Sequence, residues 1–152
     1  MRKAIYALSG DPIHKGHIDM VRRATQVFDE VVVGIGANPE KSYLFSLEER
    51  MEMTRRALSQ IPQAVVIAFE GLLVDYAYEQ GIHVIVKGVR NANDFDYENI
   101  LHLVGESQEL GVDTYVLFAR PELMHVSSSV IKALQKEEGF ILRQGESGKK
   151  IT

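Results

Sequence analysis

The fold of this chain is decided by one stretch, Ser9-Gly10-Asp11-Pro12-Ile13-His14-Lys15-Gly16-His17. The stretch follows a short apolar run, residues 4–8, and precedes an amphipathic segment that begins at Ile18. This order predicts a strand, a tight polar turn and a helix. Because the first N–H groups of a helix lack intrahelical partners and lie at the positive end of its dipole, the turn predicts an anion site with two imidazoles.

Composition is typical of one globular domain, residues 1–152, with a loose polar tail from about 140 to 152. No apolar run approaches the ~20 residues of a membrane span, and the first residues lack a signal-peptide layout. We therefore expect a cytoplasmic protein with no membrane partner. The absence of cysteine excludes disulfides and thiolate chemistry. A net charge of -4 argues against nucleic acid as a partner.

Strand and helix patterns alternate along the rest of the chain. The nearly continuous apolar run at 31–36 is typical of a parallel strand covered on both faces. Further strands are predicted at 64–69, 82–86 and 113–118, and helices at 18–28, 46–60, 72–79, 94–110 and 127–134. This order predicts an α/β fold, a Rossmann-like doubly wound parallel five-stranded sheet in a single domain.

The unusual residues of the chain follow the predicted strands. Ligands of open parallel sheets bind beyond the carboxyl ends of the strands, so these loops should converge on one edge. The residues are Ser9, His14 and His17 after the first strand, Lys41 after the second, Lys87 and Arg90 in a cationic loop after the fourth, and His125 to Ser129 after the fifth. Together they predict a polyphosphate site in an acidic protein.

Each of these residues also has a simpler interpretation. Lys41 is compatible with an ordinary solvated loop lysine, and the serine triplet with a helix N-cap. Lys87 and Arg90 are compatible with exposed ion pairs to Asp94, Asp96 or Glu98, which contribute at most ~1 kcal/mol. A shared site is favoured because all of these features fall on the same kind of loop. A P-loop is excluded, because the chain has no GxxxxGK[ST] pattern.

Several segments together resemble one family, the bacterial phosphopantetheine adenylyltransferases of the nucleotidylyltransferase superfamily. The resemblance covers roughly residues 3 to 137. His-x-Gly-His is specific only to the superfamily, and two other segments, Lys87 to Glu98 and the serine-rich one, make the resemblance sharp. The matching segments are Asp11-Pro12-Ile13 through Gly16-His17-Ile18-Asp19, Phe45-Ser46-Leu47-Glu48-Glu49-Arg50, Lys87-Gly88-Val89-Arg90 with Asp94-Phe95-Asp96-Tyr97-Glu98, and Val126-Ser127-Ser128-Ser129-Val130-Ile131-Lys132.

The chain departs from the family pattern in the first turn and at the end of the fourth strand. The family usually reads Tyr-Pro-Gly-Thr-Phe-Asp-Pro, where this chain has a leucine for the glycine at Leu8, a hydroxyl kept at Ser9 and a glycine for the aromatic residue at Gly10. His14 stands where the family often has threonine. Lys87 stands where arginine is expected, and lysine lacks the bidentate fork that suits a phosphate.

The resemblance implies transfer of AMP from ATP to 4′-phosphopantetheine, which gives dephospho-coenzyme A and pyrophosphate. It also implies Mg²⁺ as the cofactor that accompanies ATP, with no metal ligand assigned in the chain, and a homo-hexamer. The residues carried over by position are His17, Lys41 and Arg90 as catalytic; Ser9, Gly10, His14, His17, Gly88, Val89, Arg90, Glu98, Leu123, Met124, His125, Val126, Ser127, Ser128 and Ser129 for ATP; and Ser9, Lys41, Leu73 and Lys87 for 4′-phosphopantetheine.

Two alternatives stay open at this point. Another nucleotidylyltransferase, such as a nicotinate-mononucleotide adenylyltransferase, would also carry His-x-Gly-His and a serine-rich helix start, although the Lys87 to Glu98 segment argues against it. A nucleotide-binding module that has lost catalysis is the alternative of a different class. Its best support is the altered turn from Leu8 to Gly10. Pyrophosphate release distinguishes the enzymes from this module.

Overall fold

A computed structural model describes the backbone of residues 1–104 and 107–120, and side chains at 1–100 and 109–120. The predicted helix at 127–134, the tail at 140–152 and the site residues Leu123 to Ser129 lie outside the described residues. The described elements are β1 Lys3–Leu8, α1 Lys15–Ala24, β2 Glu30–Gly36, α2 Leu47–Ala57, β3 Ala64–Phe69, α3 Leu73–Glu79, β4 Val84–Val89, α4 Ala92–Val104, α5 Ser107–Leu110 and β5 Asp113–Phe118.

The five strands form one parallel sheet in the order β3-β2-β1-β4-β5. The chain runs outward from β1 through β2 to β3, and then returns to place β4 on the other side of β1. In the register, Ile5 of β1 lies between Val32 of β2 and Ile85 of β4. The reversal of strand order between β1 and β4 opens a crevice at the carboxyl ends of these two strands, where such sheets bind ligands.

Both faces of the sheet are covered, as the continuous apolar strand patterns predict. Tyr6 and Val33 pack with buried residues of α1 on one face, and Ile5 and Val32 pack with Ala77 of α3 on the other. Successive residues of one strand enter opposite cores because side chains alternate across a sheet. The predicted doubly wound α/β class is therefore confirmed. Among the described residues, no helix has both the length and the apolar character needed to span a membrane.

Most predicted elements are confirmed, with shifted ends. The capping box at the start of α2 forms as predicted, with Ser46 Oγ accepting from the Glu49 N–H and Glu49 Oε1 accepting from the Ser46 N–H, both at 3.1 Å. The cationic loop predicted at Lys87 to Arg90 is wrong for its first three residues, which belong to β4. Lys87 and Gly88 favour a loop by residue type, but hydrogen-bonded pairing with β5 continues to Val89 and keeps them in the strand.

Candidate active site

Three adjoining cavities of about 110, 250 and 790 Å³ lie at the carboxyl ends of β1, β2 and β4. Tyr6, His17 and Gly88 line both the first and the second cavity. Ser9 and Lys87 line both the second and the third. The three cavities are therefore neighbours along the carboxyl edge of the sheet, and we refer to them together as the cleft.

The two histidines of the first turn cap α1 with their own side chains. His14 Nδ1 accepts from the Gly16 N–H at 3.1 Å, and His17 Nδ1 accepts from the His14 N–H at 3.2 Å. Their rings stack with centroids 3.6 Å apart and planes 21° apart. The spacing of three residues places both rings on one face of the first helical turn, and both line the 110 Å³ cavity.

The hydrogen bonds determine which ring nitrogen carries the proton, and burial keeps both rings uncharged. Each Nδ1 accepts a hydrogen bond, so each neutral ring carries its proton on Nε2. Burial, and then the charge of Arg90, lower the pKa of His14 to about 4. Burial first, and then His14 and Arg90, lower the pKa of His17 well below its usual range. At neutral pH the site therefore offers uncharged N–H donors to an anion.

The turn before the histidines is anchored to the segment between β2 and α2. The fully buried Asp11 accepts from the N–H groups of Leu44 and Phe45, both at 2.8 Å. Gly10 has a φ of +63°, which favours glycine, and a Cβ there would lie 3.2 Å from Ile35 Cδ1 and Thr54 Oγ1. The glycine at this departure from the family pattern therefore fits a close approach of β2 and α2.

The cations on the β4 side of the cleft are engaged by carboxylates of α4. Arg90 Nε lies 2.9 Å from Asp94 Oδ2, and the Lys87 ammonium contacts the Glu98 carboxylate. The hydrogen bond from Arg90 is the main cause that lowers the pKa of Asp94. These are two of the ion pairs that the simpler interpretation expected. Both pairs are partly exposed, and their cations still line the cleft.

The residues predicted to hold 4′-phosphopantetheine divide between the two larger cavities. Lys41 is exposed and lines the 790 Å³ cavity, where Ser9 and Lys87 also lie. Leu73 instead lines the 250 Å³ cavity, together with the predicted ATP residue Glu98. The structure therefore brings Ser9, Lys87 and Leu73 together around the middle of the cleft and places Lys41 at its wide end.

Two predicted ATP residues lie beneath the cleft rather than on its walls. Gly10 and Val89 are buried, and neither lines any of the three cavities. The Val89 carbonyl accepts from the Ala119 N–H at 2.8 Å. The Val89 side chain is therefore not presented to a ligand in these three cavities.

Three residues that line the 110 Å³ cavity, Tyr6, Met20 and Ala119, were not predicted from the sequence. Tyr6 precedes Leu8 by two positions on β1, and Met20 follows His17 by three positions on α1. Tyr6 therefore lies on the same face of β1 as Leu8, and Met20 on the same face of α1 as His17. The two-residue period of a strand and the 3.6-residue period of a helix could have predicted both positions. In the described ranges, no group of three or more His, Asp or Glu side chains has metal-binding geometry.

The family model described as cytidylyltransferase-like matches residues 9–134. The fold is also similar to the crystal structure of the lipopolysaccharide core biosynthesis protein from Thermoplasma volcanium GSS1, with a TM-score of 0.56 and 17% identity over 79% of this chain and 97% of that one. The sheet, the switch-point cleft and the helix-capping histidines thus define a nucleotidyltransferase of the cytidylyltransferase-like class.

Curated relatives identify the family to which the chain belongs within this class. The phosphopantetheine adenylyltransferase of Symbiobacterium thermophilum is 46% identical over 88% of this chain and 83% of the relative. That of Clostridium tetani is 42% identical over 93% of this chain and 88% of the relative. The chain belongs to the phosphopantetheine adenylyltransferase family, as its sequence motifs predict.

Proposed function

We propose that this protein transfers AMP from ATP to 4′-phosphopantetheine, giving dephospho-coenzyme A and pyrophosphate. The observation that carries the proposal is the row of adjoining cavities that runs from the two neutral histidine donors to a large cavity with Lys41 on its wall. ATP phosphates fit the narrow end, where Arg90 supplies charge. The acceptor fits the wide end, and its phosphate meets the triphosphate near Ser9.

The reaction asks for alignment and charge stabilisation rather than for a base. The second pKa of a phosphate monoester is about 6, so the attacking oxygen is already anionic at neutral pH. Holding two reactants in line supplies about 7–11 kcal/mol in favourable cases. The His17 Nε2–H stabilises the charge that grows on the α-phosphoryl oxygens, and Lys41 and Arg90 offset the charge of the two anions.

In this proposal Mg²⁺ enters the cleft as part of MgATP, the substrate. The described polar side chains around the narrow end are two imidazoles, a guanidinium and the Tyr6 phenol, and none supplies the carboxylate oxygens that this hard cation prefers. Phosphate oxygens and water therefore provide its ligands, and the chain provides the hydrogen bonds and positive charges that hold the phosphates.

Pyrophosphate release from MgATP tests the proposal when 4′-phosphopantetheine, nicotinate mononucleotide and a control without acceptor are compared. We expect release with 4′-phosphopantetheine and none in the other two reactions. Release with nicotinate mononucleotide instead would assign the chain to the other transferase activity. ATP binding without release in any reaction would favour the module that has lost catalysis.

The proposal extends to a cytoplasmic homo-hexamer. Among the large apolar side chains that are more than two-fifths exposed, four on α4 and β5 line none of the three cavities and would be covered by neighbouring subunits; they are Phe95, Ile100, Tyr115 and Phe118. Light scattering during size-exclusion chromatography measures the mass, and a monomer at micromolar concentration would refute the assembly. Fractionation of cells tests the compartment.

A further inference from the structure

Arg50 is a buried arginine beneath the cleft. It lies in the first half of α2 and is 2% exposed. Its Nη1 donates to the carbonyl oxygens of Ser9 at 2.8 Å and Gly36 at 2.9 Å. Its Cζ lies 3.7 Å from the centroid of the Tyr43 ring, which is close enough for a cation–π contact.

These contacts join the two sides of the proposed reaction. Ser9 begins the turn that carries the histidine donors, and Gly36 ends β2. Tyr43 lies two residues after Lys41, and its hydroxyl contacts both the Gly36 carbonyl at 3.4 Å and the Asn38 N–H at 3.3 Å. One guanidinium is therefore bonded to the turn on the ATP side and to the loop on the acceptor side.

The bonds to carbonyl oxygens also orient the peptide groups that follow. A trans peptide is planar, with its C=O and N–H on opposite sides, so fixing the Ser9 carbonyl directs the Gly10 N–H away from α2. The Gly36–Ala37 peptide is held in the same way. Its carbonyl faces Arg50, and the Ala37 N–H donates to the Phe69 carbonyl at 2.8 Å.

Packing alone does not explain an arginine at this position. Burying a guanidinium is unfavourable unless hydrogen bonds replace its water. Within the described part of the chain, the buried Nε of Arg50 has no hydrogen-bond partner. An apolar side chain of similar length would fill the space without this penalty, but it would remove the one donor that the Ser9 and Gly36 carbonyls share.

We infer that Arg50 is a positioning residue that sets the distance between the turn at residues 9–14, on the ATP side, and the loop at residues 36–45, on the acceptor side. It acts through the Ser9 turn and the Lys41 loop and does not contact either substrate. This inference rests on the proposed function, in which two anions must react in line. Loss of the link should leave each substrate able to bind and make their alignment worse.

The test compares Arg50→Met, Arg50→Lys and the control Met53→Ala with the wild-type chain. Met53 is 3% exposed on the same helix, and its truncation weakens the core without removing a donor from Ser9 or Gly36. For each protein we would measure the folded fraction, the affinity for MgATP alone, the affinity for 4′-phosphopantetheine alone, and kcat with both substrates saturating. Hydrogen exchange in segments 9–14 and 36–45 is a readout that does not depend on activity.

For Arg50→Met we expect each separate affinity to stay within about threefold, while kcat per folded molecule falls about 100-fold, since small misplacement of reactants has effects of this size. Exchange should become faster in both segments at once. Arg50→Lys, which keeps a buried cation with donors, should recover at least tenfold of the lost kcat. Met53→Ala should lose stability with kcat per folded molecule within about twofold.

The inference is wrong if Arg50→Met keeps kcat per folded molecule within threefold, or if Met53→Ala lowers it equally. A loss confined to the separate affinities would also overturn it. A wild-type chain that releases no pyrophosphate contradicts the proposed function instead. The inference is then decided by exchange: an unchanged rate in either segment of Arg50→Met refutes the link, and faster exchange in both supports it.

Discussion

The two walls of the cleft hold anion-binding groups in opposite ways. On the β1–α1 wall, His14 and His17 are uncharged, largely buried and fixed by hydrogen bonds to the backbone. On the β4–α4 wall, Lys87 and Arg90 are charged and partly exposed, and each is bonded to a carboxylate of α4. The donors of the first wall are already oriented before a ligand binds. A phosphate on the second wall would compete with the carboxylates for Lys87 and Arg90.

Because of this difference, we expect the two walls to have different roles in the proposed reaction. Fixed neutral donors need no rearrangement when charge develops, so they suit the stabilisation of a transition state. Cations that already have carboxylate partners gain less from a phosphate, because part of the new attraction replaces the old one. We therefore expect changes on the β1–α1 wall to act mainly on turnover, and changes on the β4–α4 wall to act mainly on affinity.

The largest expected effect is on turnover in His17→Ala. We expect kcat to fall about 100-fold to 1,000-fold, as for the removal of other preorganised donors, with a much smaller loss of ATP affinity. Steady-state kinetics and ATP binding measured on the same preparation give the two numbers. His17→Asn, whose amide keeps a donor and an acceptor, should recover part of kcat. Equal losses of turnover and affinity would contradict the proposed role.

The next effect is a dependence of stability on pH. Below pH 6.5 the unfolded chain protonates His14, but the folded chain does not until its pKa of about 4, so the free energy of unfolding decreases as the pH falls through this window. A shift of this size corresponds to about 3 kcal/mol for His14. Urea denaturation at several pH values measures it. In His14→Asn, which keeps an N-cap, the decrease should be smaller by this amount, and an unchanged slope would contradict the burial of a neutral ring.

On the opposite wall we expect Lys87→Met to raise the KM for 4′-phosphopantetheine about tenfold, roughly the effect of losing a partly exposed charge–phosphate contact. The kcat should change less. Lys87→Arg is the matched variant, because it keeps the charge and adds the planar fork that suits a phosphate. A rise in the KM for ATP alone would place Lys87 at the other end of the cleft.

The smallest effect is expected for Asp94→Asn. This change weakens a partly exposed pair, so the free energy of unfolding should change by less than about 1 kcal/mol, and ATP should bind slightly more tightly to the released Arg90. Asp96→Asn removes the same charge from an exposed position of the same helix and serves as the control. Weaker ATP binding in Asp94→Asn would mean that Asp94 mainly orients Arg90.

Periodic patterns were sufficient to predict the class of fold and the order of its described elements. The apolar run at 31–36 predicted a strand covered on both faces because both cores need apolar partners there. The end of β4 could not be found in this way. Whether Lys87 and Gly88 continue a strand depends on pairing with β5, and that pairing is a tertiary interaction absent from local sequence.

The sequence predicted which residues form the candidate site, but not the hydrogen bonds that hold those residues in place. The sequence placed His14, His17, Lys41 and Arg90 on neighbouring loops, yet it could not reveal that the histidines cap α1. Arg50 belongs to one of the segments that resemble the family, and no sequence pattern indicates a role for it. Its position in α2 reveals neither burial nor bonds to carbonyls 14 and 41 positions away in the chain.

The uncharged state of the two capping imidazoles also bears on how the product leaves. A charged imidazolium donor adds a full positive charge to its hydrogen bond with a phosphate, whereas a neutral imidazole supplies only the N–H dipole. A pair of imidazolium ions would therefore attract pyrophosphate more strongly than two neutral rings do. In the proposed reaction, neutral rings attract the departing anion less than charged rings would, so we expect the burial that keeps them uncharged to favour release of pyrophosphate.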